Sequence, residues 1–506
     1  MMKLTVSARV LVPVLAVSIG QILHAAPFSA NVQNGNWSNP LCWDLGSAPD
    51  TYAGDIANIL GYSINYDGGM TSPAGLFGGA GGFAIANGGS LTIDGAGSML
   101  TQTVLIQEMR IGEGSGGAGT GTGLLTIQNG GALDTGLASG LAVGSQIGGG
   151  AFGNGELDIF NGTLTLGSGA ATTGFGVGID GSMGLLKVGN GLGGAGTSIV
   201  DLATNNVQMG IGVAFGFGGG TGAAIIDSDG LVNFGTGAIG VGAGGGTGTL
   251  AIIAGGKITG TSGAILIGQG AGSTGTLLNA GQIGTAVTST GEIRIGGGGG
   301  TGGFTMTGGT LNTTGEFNIG VNTGSVGTST ISGGTVSVHQ TVIGRSGGTG
   351  SLTNSVAAIT VAQSNLLVGT DAGSTGTLTI NSGTVGTTVA PGDVTHSTGH
   401  TRIGDNGATG HLYISGGAFS SADYLAVGSD GGVGHVHQTG GAVTFNSWIS
   451  MGLGGGAAGS SWDISAGSIT SPAGLEVGSD RDASMNISGT ANIAVEIGRA
   501  SCRERV

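Results

Sequence analysis

A short aliphatic segment ending in glycine, usually Ile-Gly or Val-Gly, recurs along this chain and limits what it can fold into more than any other feature. The glycines are Gly112, Gly144, Gly178, Gly212, Gly242, Gly268, Gly296, Gly320, Gly344, Gly369, Gly404, Gly428, Gly452 and Gly478. Their spacing settles near 24 to 26 residues in the later repeats, and longer spacings mark loop insertions. After each anchor comes a Gly-rich turn, then a second segment of the form Gly-x-hydrophobic-x-hydrophobic. Examples are Gly248-Thr-Leu-Ala-Ile252 and Gly376-Thr-Leu-Thr-Ile380. A Gly-Gly or Asn-Gly turn follows, and then a third short segment such as Thr335-Val-Ser-Val338 or Ala442-Val-Thr-Phe445. The alternation within each segment has the period of a strand with one face buried.

Three short strands and three turns in about 25 residues describe one coil of a solenoid. A unit this small cannot bury its own apolar face, so successive coils must stack and share one core. An antiparallel hairpin array also uses Gly-Gly turns. The same residue types recurring in columns favour a parallel stack. The expected fold is therefore all-β, a right-handed parallel β-helix of about 14 or more coils with an N-terminal cap. Fourteen coils at the parallel-strand spacing would span about 70 Å.

Composition supports this reading. Of 506 residues, 120 are Gly and 7 are Pro, without the three-residue period of collagen. The mean hydropathy of +0.33 is too apolar for a disordered chain.

The two ends read differently from the body. Lys3 and Arg9, the apolar run Val10 to Leu23, and the small residues Ala25 and Ala26 have the three parts of a secretory signal. That run is short for a membrane span, and Gly interrupts every later apolar run. At the other end, Ile497 to Val506 lacks Gly after Gly498 and holds Arg499, Arg503 and Arg505. It reads as a sequencing-adapter scar, with a natural C-terminal region expected beyond residue 496. The expected divisions are a signal peptide at 1–25, an N-terminal cap and first coils at 26–100, solenoid repeats at 101–496, and the scar at 497–506.

Without signal and scar, seven Lys and Arg face 26 Asp and Glu, an excess of about 19 negative charges. With no basic stripe, nucleic-acid binding is not expected. Cys42 stands alone once Cys502 is set aside, so no disulfide is expected.

Several groups of residues invite a chemical reading, and each has a plainer one. Trp37, Trp43, Tyr52, Tyr62 and Tyr66 cluster near the N-terminus, where bulky rings suit a cap over an open core. Asp180, Asp371, Asp405, Asp430 and Asp480 follow anchor glycines, and successive coils would bring Asp405 and Asp430 close together. Such a column has oxygens for Ca²⁺, but turn aspartates commonly bond nearby backbone. His411 and His435 share one repeat position, with His437 two residues on. His396 and His400 lie in the longest insertion. None has a companion Cys or a His-Glu-x-x-His arrangement. Arg110, Arg294 and Arg402 share an Arg-Ile-Gly position on distant repeats, and Lys187 and Lys257 look isolated. The outward position of the second strand reads Thr126, Asp158, Lys187, Ile225, Ala251, Leu278, Thr305, Thr330, Thr353, Thr379, Tyr413, His437, Asp463 and Asn486. Five Thr in fourteen is too irregular for an ice-binding lattice. No catalytic, cofactor or metal site is assigned, and no cofactor is expected.

The succession Gly327-Thr-Ser-Thr-Ile-Ser-Gly-Gly-Thr-Val336, with Gly376-Thr-Leu-Thr-Ile-Asn-Ser-Gly-Thr-Val385, resembles the repeat shared by type V secretion (autotransporter) passengers and PEP-CTERM sorted proteins. Asn34-Gly-Asn-Trp-Ser-Asn-Pro-Leu-Cys-Trp-Asp44 resembles the opening motif of such passengers. The resemblance covers about residues 34 to 495 and implies export, with a C-terminal membrane tether. The expected role is a surface or extracellular adhesive or structural stalk without catalysis, touching an extracellular surface or glycan. The alternative is a carbohydrate-active or glycan-binding β-helix with its groove in the insertions near 144–210 or 385–402.

Overall fold

Parallel pairing between residues one repeat apart organises the whole molecule. The computed structural model describes residues 27–30, 35–36, 56–60, 63–66, 76–77 and 83–86 and, with short interruptions, residues 89–495. Among them every regular element is a β-strand, and the strands pair in parallel. From Thr221 onward the chain forms a parallel β-solenoid of about 11 turns. No helix among the described residues is long and apolar enough to cross a membrane. The proposed signal peptide and scar, and the aromatic residues Trp37, Trp43, Tyr52 and Tyr62, lie outside the described residues. Tyr66 ends the strand Ser63–Tyr66.

One coil shows how the pattern becomes structure. Its anchor strand is Ile265–Gln269, its second strand Thr274–Asn279 and its third Gln282–Ile283. Each pairs in register with the equivalent strand of the next coil: Ile265 with Ile293, Leu277 with Phe304, Ile283 with Leu311. In two coils the third strand runs on into the following anchor strand, as Thr310–Val321 and Thr335–Arg345. The register between these two shifts from Thr313 to Glu316, where the chain turns the corner.

The core is one continuous column of inward side chains. Ile265, Ile267, Leu277 and Ile283 are wholly buried, as are their counterparts Ile293, Ile295, Phe304 and Leu311 to within 1%. Burying each such side chain contributes about 1.5–3 kcal/mol, and the next coil supplies much of the covering surface. Rings interlock between coils: Phe304 meets Phe317 edge-on at 5.9 Å, and Phe419 meets Phe445 edge-on at 6.0 Å.

Glycine has two distinct duties in each coil. The anchors Gly112 and Gly178, and all from Gly242 to Gly478, adopt φ between 64° and 74°. This left-handed region disfavours any residue with a Cβ. Space forbids one too, since a Cβ on Gly320 would lie 2.0 Å from the Thr349 carbonyl oxygen. The glycine opening the second strand answers to space alone. A Cβ on Gly350 would lie 2.2 Å from the Ile319 oxygen and 2.4 Å from the Gly344 nitrogen. Turn conformation alone accounts for glycine at the anchors' left-handed φ, but not here. This second column shows that close approach of two backbones is an equal cause.

Three coils place an amide where others place Ile or Met. The last inward position of the second strand holds Asn279, Asn354 and Gln438, all at most 1% exposed. Asn354 is bound on both sides of its amide. Its Oδ1 accepts from the Ala357 N–H at 3.0 Å, and its Nδ2 donates to the carbonyls of Ala357 and, in the next coil, Thr384. The turn it supports, Ser355-Val356-Ala357, contains no Gly. Gln438 likewise donates to the Ser468 carbonyl of the next coil at 3.2 Å.

Candidate functional site

The outward columns carry whatever chemistry the solenoid presents. The second-strand column read from the sequence is matched rung by rung, from Thr126 opposite Asp158 to Asp463 opposite Asn486. Its Thr are not scattered. Thr305, Thr330, Thr353 and Thr379 occupy four successive coils; Tyr413 and His437 follow directly, whereas Leu278, Ala251 and Ile225 separate the run from Lys187 and Asp158.

On the N-terminal side lies a charge cluster that the sequence reading missed. Lys187 had looked isolated, but its ammonium donates to Glu156 and lies 3.6 Å from Asp158. The three residues converge because strands Asn154–Phe160 and Met183–Val188 are neighbours, with Asp158 opposite Lys187. Burial, and then the adjacent Glu156, push the Asp158 carboxyl up to about 6 despite Lys187. Beside Glu156 opens a cleft of 530 Å³, lined by Ser90, Leu124, Met183 and Leu185 among others. A carboxyl titrating near 6 is competent for proton transfer. The ammonium bound between the two acids offsets one of their two charges and holds the group together as a clamp.

On the C-terminal side, His411, Tyr413, His435 and His437 form a two-by-two array on adjacent strands. The imidazoles of His411 and His435 stack at 5.2 Å, while Tyr413 meets His437 edge-on at 6.3 Å. A ring nitrogen of His435 is 3.0 Å from the Ser461 hydroxyl. Burial, and then the neighbouring His435, lower the His411 pKa below the ordinary imidazole value. Among the described residues no three His, Cys, Asp or Glu side chains form a metal-binding group. His396 lies outside the described residues, and His400 is buried in a different column.

The turn aspartates do not form the single column expected. Asp405 pairs with Thr370 and Ser429, directly after the anchor glycines. Asp371 and Asp430 sit one place later, with φ of 68° and 46°. Asp405 and Asp430 do approach each other, but through Arg402, which is 3.2 Å from one and 3.6 Å from the other. Asp371 accepts from Ser346 and Asn406, and Asp480 from the Gly454 N–H. Asp180 lies outside the described residues. Arg294 and Arg402 do share one column, and each is bound to carboxylates: Arg294 to Glu292 in a bidentate pair, Arg402 to Asp405.

A second feature absent from the sequence reading is a stack of rings beside Arg402. His400 stacks on Tyr424 at 4.8 Å, and Tyr424 on Trp448 at 4.7 Å, with interplanar angles of 12° and 6°. Each residue lies four places before an anchor glycine, Gly404, Gly428 and Gly452, so the coil rise sets the ring spacing. Arg402 donates through Nε and Nη2 to the Tyr424 hydroxyl, at 3.2 and 2.9 Å. Burial opposes its charge, but the Tyr424 hydroxyl and Asp405 outweigh this and raise its pKa further. Aligning the repeats on their anchors would have exposed this column. Sequence reading looked for aromatics near the N-terminus instead, where they are densest.

No protein-family model matches the chain, and neither a curated protein nor a solved structure matches it.

Proposed function

We propose that this chain is an exported, surface-displayed or extracellular stalk that works by length, stiffness and contact along its sides, without catalysis. The observation that carries this reading is a core shared without interruption across about 11 turns, while the outward columns change character from coil to coil. A solenoid of this kind is stiff along its axis because each coil is held by its neighbours. The finer expectations belong to the same proposal: a right-handed helix of fourteen or more coils, an N-terminal cap, and an autotransporter or PEP-CTERM type of passenger tethered through a C-terminal region. The leader-like N-terminus and the resemblance of the repeats support export.

The test has two arms. Cells expressing the complete gene are treated with external protease, and the purified chain is incubated with a panel of polysaccharides. The proposal expects cleavage on intact cells and no turnover of any glycan. An intracellular, protected product would overturn export, and hydrolysis or elimination of a glycan would overturn the passive role.

A second reading, glycan binding, is favoured by one observation: the ring stack of His400, Tyr424 and Trp448 next to Arg402, at the end of the 385–402 insertion.

A further inference from the structure

The turns that join each anchor strand to the second strand alternate in length over six coils. From anchor glycine to the start of the second strand the step is five residues at Gly242, Gly296 and Gly344, and six at Gly268, Gly320 and Gly369. Each longer turn ends in a serine whose hydroxyl accepts an N–H from the shorter turn of the coil before it. Gly245 donates to Ser273 at 2.9 Å, and Gly299 to Ser325 and Gly347 to Ser374 at 2.8 Å.

The alternation stops after Gly369. Gly404 and Gly428 both begin five-residue turns, so the place of the serine falls to Gly432, which has no side chain to offer. Gly407 is the residue of the Gly404 turn that matches Gly245, Gly299 and Gly347. It is exposed, and its N–H lacks the hydroxyl that holds the other three. The residue before it is Asn406, also exposed, with φ of 50° and its Nδ2 donating to Asp371 Oδ1 at 3.1 Å. A glycine after asparagine leaves its nitrogen sterically open to approach the asparagine side chain. Elsewhere the same dipeptide is restrained. Gly130 donates to the Asn161 carbonyl at 2.6 Å, Gly155 lies inside the paired strand Asn154–Phe160, and Gly162 is buried.

We infer that Asn406-Gly407 is a site of spontaneous deamidation. The Gly407 nitrogen attacks Asn406 Cγ. An N–Cγ bond forms, the Cγ–Nδ2 bond breaks, and Nδ2 leaves as ammonia with the Gly407 proton. Water then adds to either carbonyl of the cyclic imide and opens it, leaving aspartate or isoaspartate at position 406. The donation to Asp371 is lost, and a carboxylate takes a place flanked by Asp371 and Asp430 on the coils to either side. Like charges on adjacent rungs repel, and isoaspartate adds a methylene to the backbone of the turn. Ageing therefore raises the negative charge of this corner and loosens it. The inference goes beyond the stalk reading and does not depend on it.

The experiment incubates the whole purified chain at pH 6 and pH 8, digests samples over time and measures aspartate and isoaspartate by mass spectrometry. Asn406 should convert about fivefold faster than Asn129, the factor set by one ordinary hydrogen bond on the attacking nitrogen. Conversion should be faster at pH 8, where that nitrogen loses its proton more readily. A pair of variants isolates the cause. Ser346→Asn puts the same dipeptide before Gly347, at a matching φ of 52°, with the N–H still held by Ser374, and should convert slowly. Adding Ser374→Ala should bring it to the rate of Asn406. Circular dichroism and melts of fresh samples check that the variants fold. Conversion of Asn129 as fast as Asn406 would overturn the inference, as would equal rates for Ser346→Asn with and without Ser374.

Discussion

The coils from Thr301 to Thr387 and those from Thr401 to Val477 have nearly the same interior and very different exteriors. Inward, Ile343 and Leu352 of the first group align with Ile403 and Leu412 of the second, and all four are wholly buried. Outward, Thr330, Thr353 and Thr379 give way to Tyr413, His437 and Asp463. The residues four places before the anchors change from Glu316, Gln340 and Asn365 to His400, Tyr424 and Trp448. Strict alternation along each strand makes this possible, because a change on one face leaves the other untouched. Stability is assigned to the inward columns and contact to the outward ones.

If that division holds, the largest effects must come from positions the two groups share. Gly320→Ala imposes left-handed strain and a backbone clash on one coil. The expected loss is about 4 kcal/mol or more, with Gly404→Ala costing a similar amount. Because coils couple only to their neighbours, denaturation should also lose its single transition. Urea unfolding followed by fluorescence and circular dichroism checks both points. Near-neutral behaviour at either glycine would show that the corner is not built as described.

A matched pair of truncations sharpens the comparison. Leu352→Ala and Leu412→Ala each remove a buried side chain from one column, so each should cost about 3 kcal/mol. Equal losses within about 0.5 kcal/mol would be expected for well-separated sites in a repeating core. A much smaller loss at Leu412 would mean that the aromatic exterior stiffens the coil beneath it, contrary to the division proposed.

Most of the interior was legible before any coordinates, and most of the exterior was not. The anchor glycines, the three strands and the outward second-strand column follow from period-2 alternation and a fixed repeat, which are local signals. The ring stack and the Lys187 clamp depend on which residues meet across coils of unequal length. His400 lies near the end of the 35-residue spacing from Gly369 to Gly404, so a constant repeat length loses its column. Lys187 meets Glu156 across 31 residues, among coils with interrupted loops. Registering each repeat on its own anchor recovers the rings, whereas Lys187 and Asp158 align only when the second strands are registered on each other. The inward amides had a local signal that went unused: Gly275-Thr-Leu-Leu-Asn279 and Gly350-Ser-Leu-Thr-Asn354 depart from the Gly-x-hydrophobic-x-hydrophobic pattern.

Those amides supply the next test. Asn354→Ile restores the common pattern and adds apolar burial, yet it strips the Ala357 N–H of its partner in a turn without Gly. An unsatisfied buried donor costs about 1–3 kcal/mol, so a net loss of about 1–2 kcal/mol is expected. The reverse change at the same column, Ile380→Asn, should also destabilise, because the turn after it keeps Gly383 and has no use for the amide. A gain in stability for Asn354→Ile would show that the amide serves something other than its turn.

The smallest effect separates the two exteriors by pH. His411 aligns with Thr377 of the preceding coil, so His411→Thr gives this position the residue of the rung before it. Burial and His435 lower the folded pKa of His411 below its ordinary value of 6.5. The unfolded chain therefore binds a proton more readily than the folded one. Stability contributed by the neutral imidazole is fully present above the unfolded pKa and is lost as pH falls through the folded one. His411→Thr should accordingly raise the melting temperature at pH 5 relative to wild type and change little at pH 8, while the raised Asp158 carboxyl acts in the opposite sense equally in both proteins. Thermal melts at the two pH values decide it. No rise at pH 5 in the variant would assign the acid sensitivity to other titrating groups and leave the histidine array without a part in it.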